Sequence, residues 1–409
     1  MLKKSQLPLV EHQQPLDSKT DSVIARSAHR LGTKHSAIWR EEKISQIQRV
    51  KLVTLNHLGG QPGYSGSRLF AAALRGTKTR GGSIESQPLL LKLVENNPAT
   101  AEKRRNELTR YDAIRHQLPS RAHARPFYTT PKQGKSAATR LVWSEFIDET
   151  TIAGLPKGPP TELRHVLEQN RWNDATVSLR AAYQILDQAH RGSYASVCYF
   201  DHYAAYLRMN KGWINHLRSS LGNLESIKAL GTTVPNPLGL IDAIQKRPSL
   251  TTSSAHLSAV HGDLHPKNIL VGKIFKACLI DFGWSQASFH TIVDFVFMEA
   301  SLKFFRLPWH VPRLDLIRFE RSLSSEYLPD IPMHDLSLRN AFQLIRTIRE
   351  AAMIYIKSSE KNWYERQYLL PLFFVTAGLF SYPTTISNWE HLLLSSGLLA
   401  GRLKRTLGT

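Results

Sequence analysis

HGDLHPKNILV occupies residues 261–271 of the 409-residue chain, and LIDFG follows at residues 279–283. Each run joins an apolar segment to a short polar one, which predicts a tight loop, a strand, a turn and a second strand. This pattern would hold three side chains with oxygen acceptors, those of Asp263, Asn268 and Asp281, at the end of a small hairpin. The chemistry of these three side chains is therefore the first guide to what the chain can do.

The three acceptors suit the transfer of a phosphoryl group. That reaction needs a carboxylate to orient the attacking hydroxyl and accept its proton, and oxygen ligands for the Mg²⁺ that bridges the nucleotide phosphates. Asn268 lies 5 residues after Asp263, and Asp281 lies 18 residues after it. These spacings match those of the catalytic loop and the metal-binding aspartate of kinases.

Both runs resemble those of the kinase-like phosphotransferases of the aminoglycoside phosphotransferase and choline kinase type, which have His-Gly-Asp where protein kinases have His-Arg-Asp. Residues 281–299 also resemble a kinase-like domain found beside bacterial conflict-system NTPases, the ternary-complex-associated group. The resemblance implies an α+β, bilobal, protein-kinase-like fold. Its small N-lobe would have five strands, and its C-lobe would be mainly helical.

Composition and periodicity predict the domain boundaries. Residues 1–45 show little hydrophobic periodicity, which is typical of a flexible basic leader. Residues 46–149 alternate as strands around one helix and would form the nucleotide-binding N-lobe. Residues 150–409 would form the C-lobe, with a helical insertion at about 150–255 and the catalytic loop at 261–283.

Lys92 stands alone within an apolar strand, where a lysine without a partner would be costly to bury. Glu107 shares one face of the next predicted helix with Tyr111 and Ile114, so it is the best candidate partner. The resemblance implies that Lys92 grips the α- and β-phosphates of ATP and that Glu107 holds this lysine in place. Glu102 is the alternative partner, but it lies off that helix face.

The resemblance also assigns the three residues of the two runs. Asp263 becomes the catalytic base, and Asn268 and Asp281 become the Mg²⁺ ligands. The cofactors it implies are ATP and Mg²⁺. His261 and Asp294 are expected to be architectural, with Asp294 bonding the backbone of the catalytic loop.

A glycine-rich turn at residues 59–67 would cover the phosphates, because glycines let backbone N–H groups approach phosphate oxygens closely. It departs from the Gly-x-Gly-x-x-Gly pattern of protein kinases. Its candidate phosphate-binding residues are Gly60, Gly63, Ser65, Gly66 and Ser67. The resemblance implies that adenine meets backbone groups near residues 144–146, which include Glu145 and Phe146.

Two features favour a small-molecule acceptor over a protein. Only 10 residues separate Gly283 from Asp294, so there is no room for a long activation segment, and no Ala-Pro-Glu anchor follows. Gly262 stands where an arginine would pair with a phosphorylated segment.

The net charge of +20 is spread along the chain, at +5, +7, +3 and +5 over residues 1–57, 58–149, 150–299 and 300–409. A polycationic acceptor is therefore not expected.

The bulk composition limits the class of protein. Two cysteines exclude a disulfide framework and a cysteine-based zinc site, and they favour the reducing cytoplasm. The longest apolar stretch, residues 369–380, is too short for a membrane span and predicts a buried helix. Two alternatives to a phosphotransferase remain: a nucleotide-binding scaffold or sensor with a protein partner but no transfer activity, and a basic nucleic-acid-binding protein, which is the less expected of the two.

Overall fold

The computed structural model describes residues 7–12, 16–34, 38–39, 47–57, 67–86, 89–95, 107–119, 123–129, 139–146, 161–209, 212–271, 277–307, 311–325, 328, 334–382 and 386–409. The chain divides into two compact units. Unit 1 combines residues 1–185 with 267–285, and unit 2 combines residues 186–266 with 286–409. This division falls after residue 185, whereas the sequence predicts a boundary at residue 149.

The strands are β1 (Leu9–His12), β2 (Ile47–His57), β3 (Ser67–Lys78), β4 (Ser83–Glu85), β5 (Leu89–Glu95), β6 (Ala124–Thr129), β7 (Thr139–Phe146), β8 (Thr161–Glu162), β9 (Ser193–Cys198), β10 (Ser226–Ala229), β11 (Thr232–Pro235), β12 (Thr252–Val260), β13 (Ile269–Val271), β14 (Ala277–Leu279) and β15 (Gln286–His290). The α-helices are α1 (Ser18–Lys34), α2 (Glu107–Ile114), α3 (Leu163–Glu168), α4 (Trp172–Asp187), α5 (Tyr199–His202), α6 (Ala204–Leu207), α7 (Trp213–Leu221), α8 (Pro237–Lys246), α9 (Val293–Phe305), α10 (Arg313–Leu323), α11 (Leu336–Ala352), α12 (Leu370–Gly378) and α13 (Trp389–Leu407).

A seven-stranded sheet forms the main part of unit 1. Its order is β1-β2-β3-β5-β7-β6, and β4 pairs with β3. β1 runs parallel to β2, whereas the other neighbouring strands are antiparallel. The sequence predicts five strands here; β1 and β4 are the two additional ones. The α+β class is confirmed.

The helix α1 belongs to unit 1, so the described part of residues 1–45 is not the flexible leader that the sequence predicts. Asp17 caps α1, because its Oδ1 accepts a hydrogen bond from the Thr20 backbone N–H at 2.9 Å. Ile24, Ala28 and Leu31 follow at helical spacing, are 0% exposed and join the hydrophobic core beneath the sheet. The buried stripe of α1 is narrow and includes an alanine, so the surrounding polar residues hide its periodicity.

Unit 2 is mainly helical and also contains two small sheets. β9, β12 and β15 form one antiparallel sheet with β12 in the centre, and β10 and β11 form a hairpin. The insertion predicted at about 150–255 therefore contains strands as well as helices. The carboxyl end of β12 leads directly into residues 261–266.

Two buried ionic networks join the helices of unit 2. Glu299 on α9 accepts two hydrogen bonds from the guanidinium of Arg349 on α11, at 2.6 and 2.9 Å. Lys303 on α9 bonds Glu320 on α10 at 2.9 Å, and Glu320 also lies 2.6 Å from the imidazole of His391. Burial alone would raise the pKa of Glu320, but Lys303 and His391 outweigh it and lower that pKa to about 2.

The apolar stretch at residues 369–380 forms the buried helix that the sequence predicts. Every residue of α12 is buried, and so are Leu369 before it and Leu379 and Phe380 after it. Among the described residues, no helix combines the length and the apolar character that a bilayer span requires.

Candidate functional site

Lys92 lies in the centre of the unit 1 sheet. β5 pairs with β3 on one side and with β7 on the other, and Lys92 lies opposite Leu69 and Val142 in these ladders. Its Nζ is 2.7 Å from Oδ1 of Asp281 and 3.3 Å from Oε2 of Glu107. Only 11% of the lysine side chain is exposed. Two carboxylates thus accompany the buried ammonium group, which is the pairing that its desolvation requires.

The first turn of α2 presents Glu107 to this lysine. Glu107, Tyr111 and Ile114 are the buried residues of α2, which confirms the helix face predicted from their spacing. A carboxylate in the first turn is also favourable because the amino end of a helix carries a partial positive charge. Glu102, the alternative partner, lies outside the described residues.

Asn268 and Asp281 lie at the same end of the β13–β14 hairpin, within unit 1. Asn268 precedes β13 and Asp281 follows β14, and the Asn268 carbonyl accepts a hydrogen bond from the Ile280 N–H at 3.1 Å. Asp281 has a left-handed backbone with φ of 63°, which is uncommon for a residue other than glycine. An amide oxygen and a carboxylate are hard ligands of the kind Mg²⁺ prefers, and Mg²⁺ commonly takes its other ligands from water and phosphates. The two residues therefore fit a Mg²⁺–nucleotide site.

The loop that carries Asp263 lies in unit 2 and is held by Asp294. The Asp294 carboxylate accepts hydrogen bonds from the backbone N–H groups of Gly262 at 2.7 Å and His261 at 2.9 Å, as the sequence predicts. His190 Nε2 lies 3.1 Å from the same carboxylate. The Tyr206 hydroxyl donates to the Gly262 carbonyl at 2.7 Å. Gly262 has φ of 76°, a conformation that glycine adopts without strain.

Two histidines flank Asp263 within this loop. The Asp263 N–H donates to His261 Nδ1 at 3.4 Å, and His265 Nε2 lies 3.9 Å from Asp263 Oδ1. Asp263 is 8% exposed and His261 is fully buried. His261 thus supports the backbone at Asp263, in agreement with the architectural role predicted for it.

The predicted nucleotide-contacting residues are only partly described. Gly60, Gly63, Ser65 and Gly66 lie outside the described residues, and so does the side chain of Ser67, whose backbone begins β3. Glu145 and Phe146 end β7, where Glu145 lies opposite Leu89 of β5 and Phe146 opposite Ala124 of β6. Their role at the adenine edge stays a prediction.

Three residues that the sequence patterns do not assign to the site, Arg110, Tyr111 and His123, contact the Asp-Phe-Gly run. Arg110 on α2 donates from Nη1 to the Gly283 carbonyl at 2.8 Å. Phe282 is 0% exposed, and its ring lies 5.2 Å from that of Tyr111 and 5.9 Å from that of His123. A helical spacing of three from Glu107 to Arg110 is the one signal that could have identified the arginine.

A buried carboxyl group, that of Glu162, lies beside the β13–β14 hairpin. Glu162 in β8 is opposite Leu270 of β13. Burial raises the pKa of Glu162, and the nearby charges of Arg164 and Lys267 offset part of that effect. Lys267 therefore has an acidic neighbour within unit 1.

Comparison with models of protein families finds that residues 161–377 match the ternary complex associated domain 9. Sequence comparison with curated proteins finds no match. Among solved structures, the chain is similar to an amicoumacin kinase in complex with AMP-PNP, Ca²⁺ and Ami, at 10% identity and a TM-score of 0.38, over 94% of this chain and 96% of that one. It is also similar to a spectinomycin phosphotransferase in complex with ADP and spectinomycin, at 11% identity and a TM-score of 0.38, over 96% and 100% of the two chains. A third similar structure is an ethanolamine kinase of Plasmodium vivax, at 12% identity and a TM-score of 0.35, over 87% and 83%.

Proposed function

The chain belongs to the ternary complex associated domain 9 family, and on this premise we propose that it is an ATP- and Mg²⁺-dependent phosphotransferase with a small-molecule acceptor. The observation that carries the proposal is the arrangement around Lys92. A buried lysine in the central sheet contacts both the helix carboxylate of Glu107 and the carboxylate of Asp281. Each of these three residue types has a defined task in phosphoryl transfer.

In the proposed reaction, a hydroxyl oxygen of the acceptor attacks the γ-phosphorus of ATP. The bond between that phosphorus and the oxygen bridging it to the β-phosphate breaks, ADP leaves, and the hydroxyl proton passes to the Asp263 carboxylate. Lys92 neutralises charge on the α- and β-phosphates, and Glu107 keeps its ammonium group in position. Asn268 and Asp281 would hold Mg²⁺, which draws charge from the phosphate oxygens.

The acceptor is proposed to be a neutral or anionic hydroxyl compound. The basic excess extends over residues 150–299 and 300–409, which carry net charges of +3 and +5. A polycationic acceptor would meet repulsion from such a surface.

Purified protein, supplied with ATP, Mg²⁺ and a panel of acceptors grouped by charge, tests the proposal. Asp263→Asn keeps the shape of the side chain, so we expect it to retain nucleotide binding and to lose at least about a hundredfold in transfer rate. Asp112→Asn is a matched control, because this aspartate has a 59% exposed side chain on α2. Transfer that is unchanged in Asp263→Asn would exclude the mechanism.

The departure of the glycine-rich turn from the Gly-x-Gly-x-x-Gly pattern favours a second candidate, a scaffold or sensor that binds nucleotide and a protein partner. This candidate predicts a rise in melting temperature with ATP and Mg²⁺ but no product with any acceptor. The same acceptor panel therefore separates the two candidates.

A further inference from the structure

The short helix α2 contacts Phe282, Gly283 and Trp284, and it shares the partner Lys92 with Asp281. Glu107, at the start of α2, bonds the same lysine that Asp281 bonds. One turn later, Arg110 reaches the carbonyl of Gly283, and its guanidinium carbon lies 5.9 Å from the centre of the Trp284 ring. One helix of 8 residues therefore touches the proposed metal-binding loop through several independent contacts.

The loop needs such contacts because of its backbone. Asp281 has φ of 63°, a conformation that costs on the order of 1 kcal/mol or more outside glycine and persists only where the surroundings impose it. The bond from the Gly283 N–H to Asp281 Oδ1 is long, at 3.4 Å. The bond from Arg110 to the Gly283 carbonyl is shorter, at 2.8 Å, and its donor is charged, which makes it the stronger of the two.

We propose that Arg110 is a positioning residue that holds the loop at Asp281 in the conformation required for Mg²⁺–nucleotide binding. The inference rests on the proposed function, since it concerns the same site. Arg110 acts through the Gly283 carbonyl, two residues beyond Asp281, and through its contact with Trp284. Because Glu107 lies on the same helix, a displacement of α2 would loosen Lys92 and Asp281 together.

The pair of contacts explains why arginine suits this position. A lysine could donate to the Gly283 carbonyl, but it has no planar group to lie over the indole of Trp284. Phe282 fixes the other side of the loop, since it is buried against Tyr111, whose hydroxyl is 2.9 Å from His123 Nε2. Arg110 and Tyr111 thus hold the residues on either side of the Phe282–Gly283 peptide bond.

Hydrogen–deuterium exchange in the full chain without nucleotide tests the positioning role directly. In Arg110→Ala, we expect the amides of residues 281–285 to exchange at least about tenfold faster, because loss of a hydrogen bond from a charged donor favours local opening by about that factor. Arg110→Lys should restore part of the protection. Arg115→Ala is the control, since Arg115 follows the same helix and has a 51% exposed side chain.

A second readout is the Mg²⁺ concentration that gives half-maximal ATP binding, measured by equilibrium binding. Arg110→Ala should raise it about tenfold while ATP affinity without Mg²⁺ stays within about twofold. Exchange at residues 281–285 that matches the wild type would overturn the inference, whether or not the protein transfers phosphate. If Arg110→Ala does not fold, Arg110→Lys decides by the same two measurements. If ATP binding by the wild-type protein does not depend on the Mg²⁺ concentration, that result contradicts the proposed function instead.

Discussion

Replacement of Asp294 should release the loop that carries Asp263 from the carboxylate that holds it. The side chain is 0% exposed and accepts hydrogen bonds at 2.7 and 2.9 Å from two consecutive loop amides, with His190 Nε2 at 3.1 Å. A hydrogen bond to a charged group contributes about 1.5–3 kcal/mol, and removal of the acceptor leaves two buried N–H groups without it. We therefore expect Asp294→Ala to lower the free energy of unfolding by about 3–5 kcal/mol. Asp294→Asn keeps one acceptor oxygen and should cost about 2 kcal/mol.

Urea unfolding of the purified variants measures these losses, and the transfer assay measures the effect on the loop. Asp187→Asn is the control, because Asp187 is exposed and its bond from the Tyr355 hydroxyl is long, at 3.3 Å. We expect the control to change the unfolding free energy by less than about 0.5 kcal/mol. Equal losses for Asp294→Ala and Asp187→Asn would refute the anchoring role. So would an Asp294→Asn protein with wild-type stability and wild-type transfer rate.

Two further predictions concern the amino-terminal helix and the response to pH. Leu31→Ala should lower the free energy of unfolding by about 2–5 kcal/mol, because it opens a cavity beneath the sheet. Arg30→Ala, at an exposed neighbouring position, should change that free energy by less than about 0.5 kcal/mol. If the helix were a flexible leader, both substitutions would be neutral. Burial lowers the pKa of His202 from 6.5 to about 4, so the folded protein binds a proton at this histidine less readily than the unfolded chain does. The free energy of unfolding is therefore highest above pH 6.5 and decreases as the pH falls to 4. The low pKa of Glu320, about 2, extends this decrease from pH 4.5 to pH 2. Urea midpoints measured from pH 7 to pH 2 check this. His202→Gln keeps an acceptor for the backbone N–H of His290, so it should flatten the curve between pH 6.5 and pH 4; an unchanged slope there would contradict the assignment.

The elements that carry the site were predictable because they contain charged residues at positions where apolar residues are usual. A lysine inside an apolar strand and a glutamate on a buried helix face both stand out against their neighbours, and the structure pairs Lys92 with Glu107 as the sequence predicts. The resemblance of residues 281–299 to the ternary-complex-associated group is confirmed by the family match over residues 161–377. The sequence pattern was sufficient in these cases because a charged side chain is costly to bury unless a partner is present.

Other features depend on contacts that a linear pattern does not contain. Arg110 looks like an ordinary solvent-facing arginine, and its bond to the Gly283 carbonyl joins positions 173 residues apart. The strand β1 has only 4 residues and gains its place by parallel pairing with β2. The stability of both features comes from tertiary contact, which overrides weak local propensity.

The interpretation of the net positive charge depends on which acidic side chains are buried. Glu299 and Glu320 are 0% and 3% exposed, and they bond Arg349 and Lys303 inside unit 2. The Asp294 carboxylate accepts hydrogen bonds from the backbone of the loop that carries Asp263. Removing both partners of an ion pair from the surface leaves its net charge unchanged, but burial of Asp294 removes one negative charge that no arginine or lysine in these bonds offsets. This burial therefore does not lower the basic excess on which the proposal of a neutral or anionic acceptor rests.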